Sequence, residues 1–468
     1  MRPIIVGAGP AGLTLAWVLR EKKPIVLEKS GQIGGCHSVR RKNGLFSEHG
    51  PRVYSSTYVT TAKLLSQMGI SFDKIFTPYK FEVGSIGGKT ISSLKTWEVF
   101  QLAISYALSA VYPQYYKSFS MRDYCKDFSA STVEYFDRLC RLTDGAGIEN
   151  YSVYKFLQII NQNFGYQFYQ PRRPNDEGLF KEWGVALESA GVEIVLNAEV
   201  SNLLVENDSI VGVEAIVSGN NLSYKSDTVI LAVPPKAIGN LCSDYFTPGS
   251  GRKLQDWIKD NSYIDYCNVT FQWNTKLNME SVWGFPSTEW GIASVVLSDY
   301  FGGNTLISVG ITNVDSKVNG VTARTASDEE LIGETFRQLR EIYPELPKYD
   351  SAVIGSRIGE DSAYIQSSSD PSNLPYEGKI KGLYNAGTQN LKSQYSFTSM
   401  ETAVVNAAGL ANLIGGEYFA PETPWTLNGR ILVALLLVIA LVCLYVAFSG
   451  VNKIEKQTQM GVSTSKYK

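Results

Sequence analysis

Seven residues near the amino end have the types and spacing to hold an anion. Gly7, Gly9 and Gly12 sit in the run GAGPAG, after the β-branched Ile4-Ile-Val6 and before the helical pattern LTLAWVLREK. Gly7 permits a tight turn and Gly9 a close backbone approach, while Gly12 lets helix pack on strand. Pro10 and Ala11 open the helix, whose amino-terminal amides face a pyrophosphate. A second strand, PIVLEK, ends in Glu28 and Lys29. An acid about 20 residues past the first glycine suits a ribose hydroxyl, so the unit reads as strand, turn and helix of a dinucleotide site.

The rest of the composition narrows the chemistry. His37 and His49 are the only two histidines in 468 residues, too few for a histidine metal cluster or a dispersed triad. Six cysteines (Cys36, Cys125, Cys140, Cys242, Cys267 and Cys443) lie far apart with no paired spacing, so they read as reduced thiols. With 43 basic against 45 acidic residues there is no electrostatic footprint for nucleic acid. A bound cofactor is therefore expected to carry the reaction.

After Glu28 come Gly34-Gly35-Cys36-His37 and then Leu45-Phe-Ser-Glu48-His-Gly50-Pro51-Arg52-Val-Tyr54. This arrangement resembles the FAD superfamily of flavin amine oxidases, protoporphyrinogen oxidases and carotenoid desaturases, with local similarity to UDP-galactopyranose mutases. The resemblance continues through the strand ending at Val200, the strand and turn DTVILAVPP holding Ala232, and Gly387-Thr388 followed by Ser399-Met400-Glu401. It implies a non-covalent FAD held by Gly7, Gly9, Pro10, Ala11, Gly12, Glu28, Lys29, Gly34, Gly35, Cys36, His37, Gly50, Pro51, Arg52, Val200, Ala232, Gly387, Thr388, Ser399 and Met400. Covalent relatives carry a cysteine where this chain has Ala363, before Tyr364. Tyr364, Tyr395 and Phe397 are the candidates for the substrate side.

Several departures bear on activity. The arginine expected after Gly-Gly is Cys36, the acid after Ala-Gly-Thr is Gln389, the second cage tyrosine is Ser399, and no lysine stands around Tyr266 to Asn268. These weaken amine oxidation in particular. Thr388 in place of an arginine weakens the mutase reading, although Arg172-Arg173 offer another grip on a diphosphate.

The fold implied is α/β: a Rossmann-like FAD domain of the glutathione-reductase type, built from residues 1–57, 171–240 and 376–415. A helical cap over 58–170 and a mixed-sheet substrate domain over 241–375 interrupt it. Residues 416–430 read as a linker. The apolar run ILVALLLVIALVCLYVAF begins at Ile431, and 431–451 is expected to span a membrane as a tail anchor. The polar tail 452–468 follows it, with the catalytic part cytosolic. The expected function is oxidation of a C–H or C–N bond of a small lipophilic molecule by hydride transfer to flavin N5. The alternatives are a redox-neutral mutase and a non-catalytic flavin-binding membrane protein.

Overall fold

The computed structural model describes residues 1–50, 52–79, 92–163, 165–261, 263–265, 267–279, 288–297, 303–357, 363–364, 372–390 and 392–443. At its centre is a five-stranded parallel sheet in the order Leu383–Asn385, Val229–Leu231, Ile4–Val6, Ile25–Leu27, Glu193–Val195. Ile4 pairs with Val229 and Ile25, and Val229 with Leu383. Three of these strands read IIV, IVL and VIL, the apolar runs expected of parallel strands covered on both faces. On one face lie the helices Pro10–Val18, Leu179–Ser189 and Met400–Leu413, which share a core with Ile5, Val26 and Ile230. On the other, the antiparallel meander Ala198–Glu206, Ser209–Val217, Asn220–Lys225 packs on Ile4, Val6 and Leu27.

A second sheet is antiparallel, in the order Ile292–Val296, Thr305–Ile311, Cys267–Trp273, Ser351–Ser356. Phe271, Ile307 and Val309 face the helix Asp328–Ile342 through Leu331 and Leu339. The opposite face, with Ala293, Val295 and Leu306, meets the helices Ala130–Asp144 and Val153–Asn163 through Phe136 and Phe156. Both faces are covered, which is why Cys267–Trp273 is almost wholly buried. The hairpin Val39–Lys42/Leu45–Glu48 joins the two halves: Phe46 enters the cap core, and Arg40 Nη1 donates to Gly355 O on the second sheet at 2.8 Å.

The expected membrane anchor is overturned. Among the described residues no helix is long and apolar enough to cross a membrane. Residues 427–443 are helical. Residues 444–451 lie outside the described residues. The transmembrane element of the fold and the tail-anchored location built on it are both withdrawn.

Candidate active site

The carboxyl ends of the parallel strands open onto one edge, and the loops there converge. Gly7 sits at φ +100°, and a Cβ on it would lie 2.7 Å from Ala232 O. At Gly12 a Cβ would fall 1.9 Å from Gly7 O, so helix and turn are in backbone contact. Gly35, at φ +58°, approaches Gly9 so closely that its Cβ would be 3.0 Å from Gly9 Cα. Gly9 stands at the amino end of the helix Pro10–Val18 with no side-chain cap, which leaves the first-turn amides of Ala11 and Gly12 for an anion.

Glu28 is 7% exposed and occupied on both oxygens. Its Oε2 accepts Ala8 N–H at 2.7 Å, and its Oε1 accepts Ser30 N–H and Ser30 Oγ at 2.9 and 2.8 Å. A carboxylate has about four acceptor positions, so one remains for a hydroxyl. Glu28 thus tethers the glycine turn to the second strand as well as facing the site. Lys29 beside it is exposed.

The Gly34–His37 segment closes the edge. Gly34 N–H donates to Ala8 O at 2.8 Å, and the Phe180 ring fills the space a Gly34 Cβ would need. Arg52 donates through Nη2 to Cys36 O and stands 3.2 Å from His49 Nδ1. Burial, with the Arg52 charge behind it, holds both His37 and His49 well below the ordinary imidazole range, so both rings are neutral. Asn175 was not singled out in the sequence; its Nδ2 donates to His37 O and Tyr54 OH at 3.1 and 3.2 Å. Gly50 is buried, Cys36 is exposed, and Pro51 lies outside the described residues.

At the far side of the sheet, Gly387 O accepts Asn406 Nδ2 at 2.7 Å, and Asn406 Oδ1 accepts Lys392 and Ser393 N–H. Asn406 therefore ties the Gly387–Thr388 turn to the helix Met400–Leu413. A lone buried amide in that small-residue helix was the available sequence signal. Gln389 turns inward, donating to Asn385 Oδ1 at 3.2 Å. Ser399 is the N-cap of the helix, accepting Thr402 N–H at 3.2 Å, and Met400 is core. Val200 is buried beside Leu27.

The substrate-side candidates separate. Tyr395 and Phe397 lie edge to face at 5.1 Å, with Tyr58 5.9 Å from Tyr395, and Tyr395 OH donates to Asn163 Oδ1 at 3.0 Å. Tyr364 instead packs 6.0 Å from Trp257 in a different core cluster. The structure does not bring Tyr364 to the other two. Arg172 donates its Nε to Asp73 O and Phe76 O at 2.9 and 3.1 Å, and it and Arg173 are exposed.

The sequence matches the model of an NAD(P)-binding Rossmann-like domain over residues 5–68 and that of flavin containing amine oxidoreductases over 179–409. The chain belongs to the flavin amine oxidase superfamily. It is an FAD-dependent oxidoreductase, and its cofactor is a flavin. No curated protein sequence matches this flavoenzyme significantly. Its fold is similar to an oxidoreductase from Methanosarcina mazei (TM-score 0.61, 14% identity, covering 88% of this chain and 100% of that one). It is also similar to putrescine oxidase bound to putrescine (0.65, 14%, 88% and 98%) and to a protoporphyrinogen oxidase-like protein of an Exiguobacterium species (0.58, 15%, 88% and 98%). The residues present fit the group: a Cβ-free cradle at Gly9 and Gly35, open helix amides for a pyrophosphate, and an acceptor position on Glu28.

Proposed function

We propose that this oxidoreductase holds FAD non-covalently and oxidises a C–H or C–N bond of a small, largely apolar molecule. The observation that carries the reading is the convergence of Gly7, Gly9, Gly12, Glu28, Ala232 and Gly387 on one edge of the parallel sheet, with the uncapped amino terminus of the helix Pro10–Val18 there. When bound, FAD supplies a two-electron acceptor for a hydride at N5. The amides of Ala11 and Gly12 offset phosphate charge, and Glu28 fixes the ribose end while keeping the turn in place. Tyr395, Phe397 and Tyr58 form an aromatic wall that favours an apolar substrate. Ala363 in the cysteine position of covalent relatives supports a releasable flavin.

Acid precipitation tests the first half: yellow colour passes to the supernatant. Flavin retained in the pellet, for instance on the exposed Cys36, overturns it. Anaerobic mixing with lipid-soluble amines, porphyrinogens or polyenes tests the second half, and bleaching by one class is expected. Furanose formation from UDP-galactopyranose by the reduced protein, without net electron transfer, refutes the oxidation.

A further inference from the structure

The cap helix Thr96–Val111 is folded inside out. Its inward side sets Leu102 and Tyr106, which pack on the cap core, among satisfied polar groups: Glu98 is fully buried and accepts Lys95 N–H, Ser129 N–H and Thr132 Oγ at 2.7, 2.6 and 3.0 Å. Ser105 shares a hydrogen bond with Tyr124 OH at 2.9 Å, and Ser109 donates to Tyr106 O at 2.8 Å. The apolar side faces water.

Two rows define that outer face. Phe100, Ile104 and Leu108 follow one another at four-residue spacing and form a ridge, exposed by 41–69%, with the exposed Tyr112 just past the helix end. Beside it Val99, Ala103, Ala107 and Val111 run at the same spacing, and the two exposed alanines make a groove. A helix that carries both a four-spaced ridge and an adjacent four-spaced groove is complementary to itself. Ridges of one copy enter grooves of the other at a crossing near −50°, and a two-fold axis satisfies both at once.

We propose that this face is a homodimer interface occupied by the same helix of a second copy, crossing between Ala103 and Ala107. The area fits. Including Trp97 and Tyr115 at the ends, the exposed large side chains, at about 150–250 Å² for each aromatic and somewhat less for each aliphatic, leave roughly 800 Å² of apolar surface in water. That exceeds the roughly 300–600 Å² of a typical monomer's largest patch and equals one partner's share of a standard interface. Charge points the same way. Between Thr96 and Val111 there is no lysine or arginine, and the sole charged residue, Glu98, faces inward. A helix lying on a lipid surface uses cationic residues along its polar side, and here that side is consumed by the protein.

The test is the mass in solution of the flavin-loaded full chain by light scattering. A particle of twice 51.7 kDa is expected. Ile104→Asp removes a ridge residue and Ala107→Leu fills the groove. Both positions are exposed, so the variants should keep their far-ultraviolet signal and flavin load while the dimer dissociation constant rises more than tenfold in each. A disulfide dimer formed by Ala107→Cys on mild oxidation gives independent support. A wild-type monomer well above micromolar concentration overturns the proposal, as does a dimer unaffected by either substitution. A monomer that sediments with phosphatidylcholine vesicles, and ceases to when Ile104 is Asp, assigns the face to lipid and also overturns it.

Discussion

Glu48 should set a measurable pH dependence of stability. It ends the strand Leu45–Glu48 where the hairpin crosses the second sheet, and it is buried with one carboxyl oxygen lacking a hydrogen-bond partner. Burial raises its pKa from 4.5 to about 7, against the Ser308 hydroxyl and the nearby Arg52 charge, which pull it down. The folded protein therefore binds the Glu48 proton more tightly than the unfolded chain does. Its contribution is fully present below about pH 4.5 and is lost as pH rises through about 7. At 1.36 kcal/mol per unit the swing is roughly 3 kcal/mol. Glu48→Gln keeps the shape and mimics the neutral form. In urea melts from pH 5 to 8, the wild type should lose most of that amount, about 2.5 kcal/mol, relative to the variant, and the variant should be the more stable above pH 7. Arg52 and Tyr54 act on the group in both proteins, so subtracting one curve from the other isolates Glu48. Parallel curves, or a variant that is least stable at high pH, would refute the assignment of a neutral buried acid.

Glu401 holds two distant elements together: its carboxylate accepts Thr60 N–H, Thr61 N–H and Thr61 Oγ at 2.8, 2.9 and 2.7 Å, capping the helix Val59–Gln67. Glu401→Ala should cost about 1–3 kcal/mol, since buried donors are left unpaired, and chemical denaturation reads it directly. Gly12→Ala should abolish flavin retention because its Cβ would fall 1.9 Å from Gly7 O; the absorbance ratio of the purified protein checks this. Glu28→Ala should weaken FAD binding by roughly 1–3 kcal/mol by isothermal titration, and it should also loosen the glycine turn, visible as faster exchange of the Ala8 amide.

What the sequence made legible was local. The glycine turn, its strand and its helix lie within 15 residues of Ile4, and each requirement can be stated from backbone geometry alone. Contacts formed across the chain were not legible. Glu401 reads in the sequence as a motif partner of Met400, yet its work is to cap a helix 340 residues earlier. Asn175 follows the Arg172-Arg173 pair in the sequence, and only the folded chain places it between Tyr54 and His37. Tyr364 and Tyr395 share a residue type that suits an aromatic cage, but strand pairing of Ala363–Tyr364 with Tyr263–Ile264 carries the first of them to Trp257.

The helix Thr96–Val111 shows where periodicity itself is ambiguous. A period of 3.6 divides the segment into a polar and an apolar side, and the usual inference turns the apolar side inward. The pattern contains no term for direction. Here direction is decided by partners outside the helix: Ser129 N–H and Thr132 Oγ1 supply donors that Glu98 would otherwise lack, and Tyr124 meets Ser105. Burying a carboxylate without such donors costs several kcal/mol, so once they are in place the polar side is free to face the core. Among the described residues the apolar side is left exposed, and in the proposed dimer a second copy offers the same ridge and groove in reverse.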